Sequence, residues 1–343
     1  MSARVPSNAA GSNPALIFAL ARLVLVLLLR EDDVRALLSV PQAIELLDDA
    51  FRMESTGDAR NIPRARALYP GGSLQLMGGS ISARQRAGVK TYAAGRAGVS
   101  FLVVLFDTGS NSLLALLEAD WLGRIRTGAA SGLATRYMAS EGARIAGVIG
   151  AGGQADTQVL ALDAVRDLEE IRIFSRSSER REALVQRLAG STRARLHAVT
   201  SSDEAVRESD IVTTITTSEK PVFSGALLPG DCHVNAAGGN LASKAEIDVK
   251  TVSRATLVVV DSVEQARTEC GDLLAAEREG DFSWVEAVPL SAVIARTGGE
   301  GVSRRGITLY ESQGIGIEDV IVADYVYQQA LEREMGQRVD FGS

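Results

Sequence analysis

The sequence predicts an α/β protein in which a parallel-sheet domain is joined to a second domain of the α+β class. From Arg144 onward, near-continuous apolar runs alternate with helical patterns, as in a parallel sheet covered by helices on both faces. Between Ile62 and Leu117, alternating or apolar runs are instead separated by Gly, Asp and Asn, which is typical of antiparallel strands joined by turns.

The first predicted strand lies within an apolar segment, PALIFALARLVLVLLLR, which runs from Pro14 to Arg30. Arg22 interrupts this segment, which is shorter than the ~20 residues that a bilayer span requires, and no A-x-A-like cleavage site follows it. We therefore expect no membrane anchor. Leu23 to Leu29 is predicted to be the first strand, and residues 1–21 are predicted to be a loose N-terminal extension.

Helical patterns flank the antiparallel region. In REDDVRALLSVPQAIELLDDAFRM, two short amphipathic helices are predicted, with Ser39 as a cap and Pro41 in an early helical position. After the strands SLQLMGG, AGVKTYAAG, SFLVVLFD and SLLALLE, a long helix is predicted in ADWLGRIRTGAASGLATRYMASEGA. Gly128 and Gly132 leave one of its faces slim, so this helix is expected to pack closely and to connect the domains. The C-terminal helical pattern, EDVIVADYVYQQALERE, can return to the first domain.

The composition of the chain argues against several kinds of partner and site. The chain has 343 residues, of which 46% are hydrophobic and 23% charged, and a net charge of −7, so we expect neither nucleic acid nor an anionic membrane as a partner. With two cysteines, Cys232 and Cys270, and two histidines, His197 and His233, no disulfide framework or metal-ligand spacing is present. We therefore predict no metal site, a structural role for His197 and a cytoplasmic location. His233 is more open to a functional role because its run leads into a glycine-rich turn.

The segment GVIGAGGQADTQVLALDAV contains a glycine turn between a strand and a helix. Its pattern is Gly150-x-Gly152-x-x-Ala155, followed by a helical face that includes Val159 and Leu162. Gly150 permits a tight turn, Gly152 lets a diphosphate approach the backbone, and Ala155 allows close packing of the helix. This context predicts a Rossmann domain that binds a dinucleotide; another nucleotide-derived ligand or a purely structural turn is the alternative.

The second strand of this domain bears on the choice of cofactor. Where a site specific for NAD would place an acidic residue, the chain has Ser175 and Arg176, followed by Ser177 and Arg180. Since serines and arginines can bind a 2′-phosphate, NADP(H) is favoured and NAD(H) stays possible. The alternative is that the arginines are solvated helix residues.

The chain resembles the ornithine cyclodeaminase and mu-crystallin family over Leu23 to Leu331. The resemblance rests on the ordered segments NIPRAR, GVKTY, RIRTGAAS, VIGAGGQA, DIVTTITTSEKPV, HVNAAGGNLASKAEID and ITLYESQGIGIEDV. It implies a Rossmann domain over residues 131–309, a discontinuous substrate and dimerisation domain over residues 22–130 and 310–343, and a homodimer. It also implies a small amino or imino acid substrate.

The resemblance further implies that Arg64, Lys90 and Arg126 bind the substrate carboxylate, with Arg66 as an alternative to Arg64 because PRAR can be aligned in two ways. Three cations in a partly dry cleft attract a carboxylate strongly. The expected cofactor-binding residues are Thr127, Gly150, Gly152, Gly153, Gln154, Ala155, Ser175, Arg176, Ser177, Arg180, Thr216 and Gly314.

Two positions depart from the cyclodeaminase pattern. Asn240 and Gln75 stand where that pattern has carboxylates, and an amide cannot act as a general acid or base at neutral pH. Proton transfer is central to ornithine cyclisation but less so to the reduction of a protonated imine. We therefore expect Asn240 and Gln75 to donate and accept hydrogen bonds, with Lys90 and Asn240 as catalytic residues.

These inferences favour an NAD(P)H-dependent reductase of ketimines or imino acids, such as Δ1-pyrroline-2-carboxylate, or an amino-acid dehydrogenase working in reverse. One alternative is ornithine cyclodeaminase itself, which would need another carboxylate, such as Asp231 or Glu246, in the site. The other is a dinucleotide-binding protein without enzymatic activity.

Overall fold

A computed structural model describes residues 25–296 and 302–340, which fold around two β-sheets. The strands are β1 (Leu25–Leu29), β2 (Ala59–Tyr69), β3 (Gly72–Ile81), β4 (Arg86–Gly95), β5 (Gly98–Asp107), β6 (Ser112–Glu118), β7 (Ile145–Ile149), β8 (Glu170–Phe174), β9 (Arg195–Ala198), β10 (Ile211–Thr214), β11 (Cys232–Ala236), β12 (Ala255–Val260), β13 (Ala287–Pro289), β14 (Ile307–Glu311) and β15 (Gln337–Asp340). The helices are α1 (Glu31–Leu37), α2 (Val40–Thr56), α3 (Asp120–Met138), α4 (Ala155–Val165), α5 (Ser178–Leu188), α6 (Ser202–Val206), α7 (Val249–Arg254), α8 (Val263–Glu269), α9 (Gly271–Glu279), α10 (Leu290–Arg296) and α11 (Gly316–Glu332). The predicted extension, residues 1–21, lies outside the described residues.

The first sheet has seven strands in the order β15-β1-β6-β5-β4-β3-β2. Strands β2 to β6 form the predicted antiparallel series, whereas β1 pairs in parallel with β6 and antiparallel with β15. Because side chains alternate between the faces of a sheet, the register places Gln75, Tyr92 and Lys90 on the same face: Gln75 pairs with Tyr92, and Met77 with Lys90. Leu74 and Leu76, on either side of Gln75, lie on the opposite face.

The C-terminal helix α11 covers one face of this sheet and contacts β2, β3, β4 and β5. Two glycines permit the close approach. A Cβ atom at Gly79 would lie 2.8 Å from a side-chain carbon of Ile317, and one at Gly88 would lie 3.2 Å from a side-chain carbon of Val320. The prediction that the last helix returns to the first domain is confirmed.

The second sheet has eight strands in the order β13-β12-β14-β11-β10-β7-β8-β9, and all neighbouring pairs are parallel. The predicted parallel sheet is therefore confirmed. Its first strand along the chain, β7, lies between β8 and β10. Since parallel strands end at the same edge, the turns that follow β7, β10, β11 and β14 lie side by side.

Helix α3 links the two sheets, because it starts two residues after β6 and packs along α4. A Cβ atom at Gly128 would lie 2.5 Å from the carbonyl oxygen of Thr157, and one at Gly132 would lie 3.0 Å from the Cβ of Ala161. Each glycine therefore removes a side chain that would separate the helices. The predicted close packing of α3 is confirmed.

Two of the predicted domain limits fall inside elements of secondary structure. The limit between residues 130 and 131 falls inside α3, and the limit between residues 309 and 310 falls inside β14. Strand β14 pairs with β11 and β12 along its whole length, so it cannot be divided between domains. Helix α2 is also longer than the short helix that we predicted, with Ser39 at its N-cap and Pro41 in its first turn.

A large apolar core lies between α2, α3, α11 and the first sheet, and includes the fully buried side chains of Ile44, Phe51, Leu117 and Leu133. Two further clusters cover the faces of the parallel sheet. In the part of the chain that the structure describes, every helix is too short or too polar to cross a membrane.

Candidate active site

A cleft of about 530 Å³ lies where the carboxyl ends of the parallel strands face the antiparallel sheet. Its walls come from β2, β3, β4, β5, the first two turns of α3, and the turns after β7, β10, β11 and β14. This position at the carboxyl edge of a parallel sheet is where ligands commonly bind in open α/β folds.

Lys90 and Arg126 lie in this cleft and share one counter-ion. The Lys90 Nζ is 3.0 Å from Asp319 Oδ1, and the Arg126 Nε is 3.2 Å from the same oxygen. The Arg126 Nη1 also lies 3.0 Å from an oxygen of Glu318. Both carboxylates belong to α11, so the C-terminal helix fixes the two cations from behind.

Burial changes the charge state of this group. Burial and the nearby Arg126 lower the pKa of Lys90 to about 8, although Asp319 acts in the opposite direction. Burial raises the pKa of Glu318 to about 8, against the effect of Arg126. Burial therefore favours the protonated form of Glu318 and the neutral form of Lys90, so the charge of the group depends on pH. Lys90 and Arg126 line the same cleft, where cations favour an anionic ligand.

Arg64 extends the same group, and the structure places Arg66 elsewhere. Arg64 lines the cleft, where it donates hydrogen bonds to the Tyr92 hydroxyl at 2.5 Å and to the carbonyl oxygen of Gly314 at 3.1 Å. Arg66 is outside the cleft lining and donates to the carbonyl oxygen of Asn240 at 2.7 Å. Both arginines form ion pairs with the buried carboxylate of Glu269, and the Arg64 Nε lies 3.4 Å from Glu269 Oε2. The geometry therefore favours Arg64 over Arg66 as the cleft cation.

Gly314 makes room for Arg126. Its φ is +76°, and a Cβ atom on this glycine would overlap the Arg126 guanidinium. Its carbonyl oxygen accepts from Arg64, and its amide donates to Asp261 at 2.6 Å. We predicted Gly314 as a cofactor residue; it lines the cleft beside these cations.

Gln75 and Asn240, the two amides that stand where the cyclodeaminase pattern has carboxylates, also line the cleft. Gln75 Oε1 accepts a hydrogen bond from the Tyr92 hydroxyl at 2.6 Å, which in turn accepts from Arg64. The Asn240 side chain has no hydrogen bond to any of the described residues, so its amide is available to a ligand. The ring of Tyr92 packs on Phe101, with the centroids 4.9 Å apart.

The glycine turn forms the other side of the cleft. Gly150 has a φ of +125°, which favours glycine, and a Cβ atom there would overlap the backbone of Ile215. Nothing lies within 4 Å of a Cβ position on Gly152, so the backbone is open to an approaching ligand. Ala155 is fully buried at the start of α4. Gly153, Gln154, Thr127 and Thr216 lie in the cleft lining.

The end of β8 lies next to this turn, because the amide of Gly150 donates to the carbonyl oxygen of Phe174 at 2.9 Å. Ser175 follows directly, and Arg176 and Arg180 are exposed. Neither arginine side chain has an ion pair or hydrogen bond to the described residues, while the Ser177 hydroxyl caps α5 by accepting from the amide of Arg180. The four residues lie outside the cleft but at the adjacent strand end.

The alternative carboxylates are not in the cleft lining. Glu246 is buried, and its carboxylate accepts from the amides of Thr216 and Gly238, both at 2.6 Å, so it fixes the turns beneath the cleft. Asp231 precedes β11, at the opposite end from Asn240, and accepts from the amide of Gly306 at 2.6 Å. Asp120, at the start of α3, is the carboxylate in the lining, and it forms an ion pair with Arg124.

His233 is a structural residue. It is 1% exposed, its ring nitrogens contact Thr308 Oγ1 and Asn235 Oδ1 at 2.9 and 3.0 Å, and burial lowers its pKa to about 3. His197 lies exposed on β9, away from the cleft. Neither histidine reaches the cleft lining.

Both cysteines are free and buried, which is compatible with the cytoplasmic location that we predicted.

Cys270 lies near Asp272 and Glu311, and one potential ligand atom from each of the three lies within 4.8 Å of the others. The spacing in the sequence does not reveal this cluster. Burial raises the pKa of all three groups, that of Asp272 to about 7. The cluster is therefore at least partly protonated at neutral pH.

Sequence reasoning missed four residues of the site: Tyr92, Arg124, Glu318 and Asp319. Tyr92 follows Lys90 by two positions on a strand and so shares its face, which is a signal that was available. Glu318 and Asp319 are 192 and 193 positions from Arg126, and no pattern in the sequence pairs them with it.

The chain matches the Ornithine cyclodeaminase/mu-crystallin family over residues 25–334, and it belongs to this family. Among curated relatives, a Δ1-pyrroline-2-carboxylate reductase of Bacillus cereus is 37% identical over 248 residues, which are 72% of this chain and 76% of that protein.

Two solved structures are closely similar. The Δ1-pyrroline-2-carboxylate reductase of Thermococcus litoralis, in complex with NADH and L-proline, has a TM-score of 0.86 and 30% identity, and the alignment covers 92% of this chain and 100% of that one. An archaeal alanine dehydrogenase dimer with bound NAD has a TM-score of 0.86 and 29% identity, with 92% and 99% covered.

The contact between Gly314 and Arg126 can be tested with Gly314→Ala. The new methyl group would displace the guanidinium, so we expect the affinity for pyrrole-2-carboxylate, a planar ring with one carboxylate, to fall about tenfold. Titration calorimetry measures this affinity. Gly142→Ala is the control, because that glycine lies in an open turn with only Ser140 nearby. Equal affinities in the two variants would contradict the conclusion that Gly314 makes room for Arg126 to bind an anionic ligand.

Proposed function

We propose that this protein is an NAD(P)H-dependent reductase that converts a small ketimine or cyclic imino acid, such as Δ1-pyrroline-2-carboxylate, to the L-amino acid. The observation that carries the proposal is the convergence of Arg64, Lys90 and Arg126 on the cleft that also contains the glycine turn. The names of the similar proteins support it: two are Δ1-pyrroline-2-carboxylate reductases and one is an alanine dehydrogenase.

The cofactor site fits a nicotinamide dinucleotide, because Gly152 is open and the N-terminus of α4 favours phosphate. Such a cofactor supplies hydride to the imine carbon. Arg64, Lys90 and Arg126 hold the substrate carboxylate and so fix the adjacent carbon. Gln75, Tyr92 and Asn240 line the rest of the cleft and can donate or accept hydrogen bonds at the imine nitrogen or the ring. If the imine binds protonated, no carboxylate base is needed.

The same site in reverse is an amino-acid dehydrogenase, because hydride then leaves the carbon that carries the amino group. Ornithine cyclodeamination is less compatible with the geometry. It requires proton transfer at two amines, whereas the cleft has Gln75 and Asn240, and neither Glu246 nor Asp231 belongs to its lining. The carboxylate of Asp120 does belong to the lining, but it pairs with Arg124 at the start of α3. A binding protein without activity has the same cofactor site but no turnover.

A spectrophotometric assay separates these functions. We expect Δ1-pyrroline-2-carboxylate to oxidise NADPH or NADH in the presence of the protein, and Lys90→Met to lower kcat/KM by about 100-fold, since one of three carboxylate cations is lost. Asp167→Asn, at an exposed ion pair with Arg144, is the matched control. Proline formation from ornithine and NAD would instead support the cyclodeaminase, and tight cofactor binding without either reaction would support the binding protein.

Asn240→Asp tests whether the lack of a carboxylate at residue 240 prevents cyclodeamination. If the amide at this position blocks cyclodeamination, the variant should gain measurable proline formation from ornithine, which the wild-type protein should lack. Product analysis by mass spectrometry measures both. Proline formation by the wild-type protein would contradict the assignment of Asn240.

Lys90 should impose a pH dependence on ligand binding. Since its pKa is lowered to about 8, the ammonium loses its proton as the pH rises through that value, and carboxylate affinity should then fall. In Lys90→Arg the guanidinium stays charged, so this decline should become smaller, and the remainder belongs to Glu318, whose pKa burial raises to about 8. Titration of pyrrole-2-carboxylate between pH 6 and 10 measures the effect. A decline that is the same in both proteins would assign the titration to another group.

We further propose that NADP(H) is preferred over NAD(H). The support is local: Ser175 and Arg176 follow β8, and the side chains of Arg176 and Arg180 have no ion pair among the described residues. An arginine can bind the 2′-phosphate of NADP(H). The similar Thermococcus litoralis reductase has NADH bound, and the similar archaeal alanine dehydrogenase has NAD bound. These are the cofactors of those two proteins.

Arg176→Ala measures this preference. We expect kcat/KM for NADPH to fall about tenfold, with that for NADH unchanged, because only NADPH carries the 2′-phosphate. The control is Arg193→Ala, another largely exposed arginine, on the loop before β9. Equal losses with both cofactors would count against a 2′-phosphate site.

We propose a homodimer in which the outer face of the antiparallel sheet is the interface. Leu74, Leu76 and Ile62 are 39%, 40% and 63% exposed on this sheet, and Leu74 and Leu76 point away from the cleft. A substantial exposed apolar patch is typical of an interface. The similar alanine dehydrogenase is described as a dimer.

Light scattering tests this assembly. We expect the wild-type protein to have the mass of two chains and Leu76→Lys to shift it toward one, because a buried charge at an apolar interface is unfavourable. Leu331→Lys is the control, since Leu331 is 39% exposed near the end of α11. A monomeric wild-type protein would exclude the dimer.

A further inference from the structure

Arg124 lies over the glycine turn. The proposed binding of a substrate carboxylate by Arg64, Lys90 and Arg126 gives Arg124 no role. It belongs to the first turns of α3 and lines the cleft together with Gly152, Gly153 and Gln154. Its guanidinium carbon and two terminal nitrogens lie 3.2 to 3.4 Å from the point where a Cβ atom on Gly153 would be. The guanidinium therefore rests on the residues that lead into α4, and any side chain at residue 153 would crowd it.

This position is electrostatically unfavourable in the absence of an anion. The N-terminus of a helix carries unpaired amide groups and a partial positive charge, so it favours acidic groups and disfavours basic ones. Here a permanently charged arginine adjoins the N-terminus of α4. The acidic residue in the first turn of that helix, Asp156, is already bound to Arg187 by two hydrogen bonds.

Arg124 has a single anionic partner among the described residues. Its Nη2 lies 2.7 Å from Asp120 Oδ2, one helical turn earlier, and the side chains are 32% and 41% exposed. Pairs of this kind are weak because water screens them, so the guanidinium can exchange this partner for a stronger one. Arg126 differs: its side chain is 8% exposed and held by Glu318 and Asp319.

We propose that Arg124 binds the diphosphate of the dinucleotide against the N-terminus of α4, and that the diphosphate displaces Asp120 from the guanidinium. This inference rests on the proposed dinucleotide-binding function. A diphosphate would satisfy both positive groups, the free amides of the turn and the guanidinium, which can bind two oxygens at once. Arg124 is thus a cofactor-binding residue, whereas Arg126, two positions later, belongs to the substrate carboxylate.

The proposal gives Asp120 a role that opposes Arg124. Because the carboxylate competes with the diphosphate for the same guanidinium, its removal should not weaken cofactor binding and is expected to strengthen it. Loss of the guanidinium should weaken it. The two ends of one ion pair therefore have opposite effects, which a purely structural ion pair would not produce.

Fluorescence titration of NADH and NADPH into the full chain tests this assignment. We expect Arg124→Gln to raise the Kd for each by about tenfold, the usual effect of losing one charge-assisted hydrogen-bonding group, with a smaller rise in Arg124→Lys. Asp120→Asn should leave the Kd unchanged or lower it. Arg187→Gln, which removes an equal charge at the outer side of the same helix, should change it by less than about twofold.

The outcomes separate this proposal from the one on which it depends. If the wild-type protein binds neither NADH nor NADPH, the proposed function fails. If the wild-type protein binds and Arg124→Gln matches Arg187→Gln, only the role of Arg124 fails. A loss of affinity in Asp120→Asn as large as that in Arg124→Gln would also overturn it, since the pair would then act through structure. Thermal unfolding of each variant identifies misfolding, in which case Arg124→Lys and Asp120→Asn decide the question.

Discussion

The site depends on one buried carboxylate. Asp319 Oδ1 lies 3.0 Å from Lys90 and 3.2 Å from Arg126, and without it Lys90 would have no ion-pair partner among the described residues and Arg126 would keep only Glu318. Burying a charge without a partner is costly, so the strand that carries Lys90, the helix that carries Arg126 and the C-terminal helix must assemble together. The glycines that let α11 approach the sheet, Gly79 and Gly88, serve the same requirement, since a more distant helix could not place Asp319 between the cations.

The architecture was largely predictable because it follows from local periodicity. Alternating strands and helices after Arg144 specify a parallel sheet, and the turn at Gly150 specifies where its first helix begins. The site was predictable only in part. Lys90, Arg64 and Arg126 came from the resemblance to a family, whereas Asp319, Glu318 and Tyr92 depend on contacts between distant segments. The domain limits at residues 130 and 309 fall within α3 and β14, which the sequence pattern does not reveal.

Two buried acids, Glu246 and Asp272, stabilise the turns that form the floor of the cleft. Glu246 accepts from the amides of Thr216 and Gly238, and Asp272 accepts from the amides of Glu246 and Ile247 at 2.8 and 2.9 Å. These carboxylates fix the turns after β10 and β11 from below. The polar side chains that these turns contribute to the cleft lining are those of Thr216, Thr217, Asn240 and Lys244, so carboxylates lie beneath the turns and not on their cleft surface.

Helix α3 brings the groups at residues 124, 126 and 127 to the cleft within a single turn. Its glycines hold it against α4, so this turn and the glycine loop form one packed unit rather than two surfaces that meet across a joint. The separation between these three groups and the loop is therefore set by the packing of α3 on α4, not by the contact between the two sheets. A substitution that enlarged either glycine would push the groups away from the loop, even though neither glycine lines the cleft.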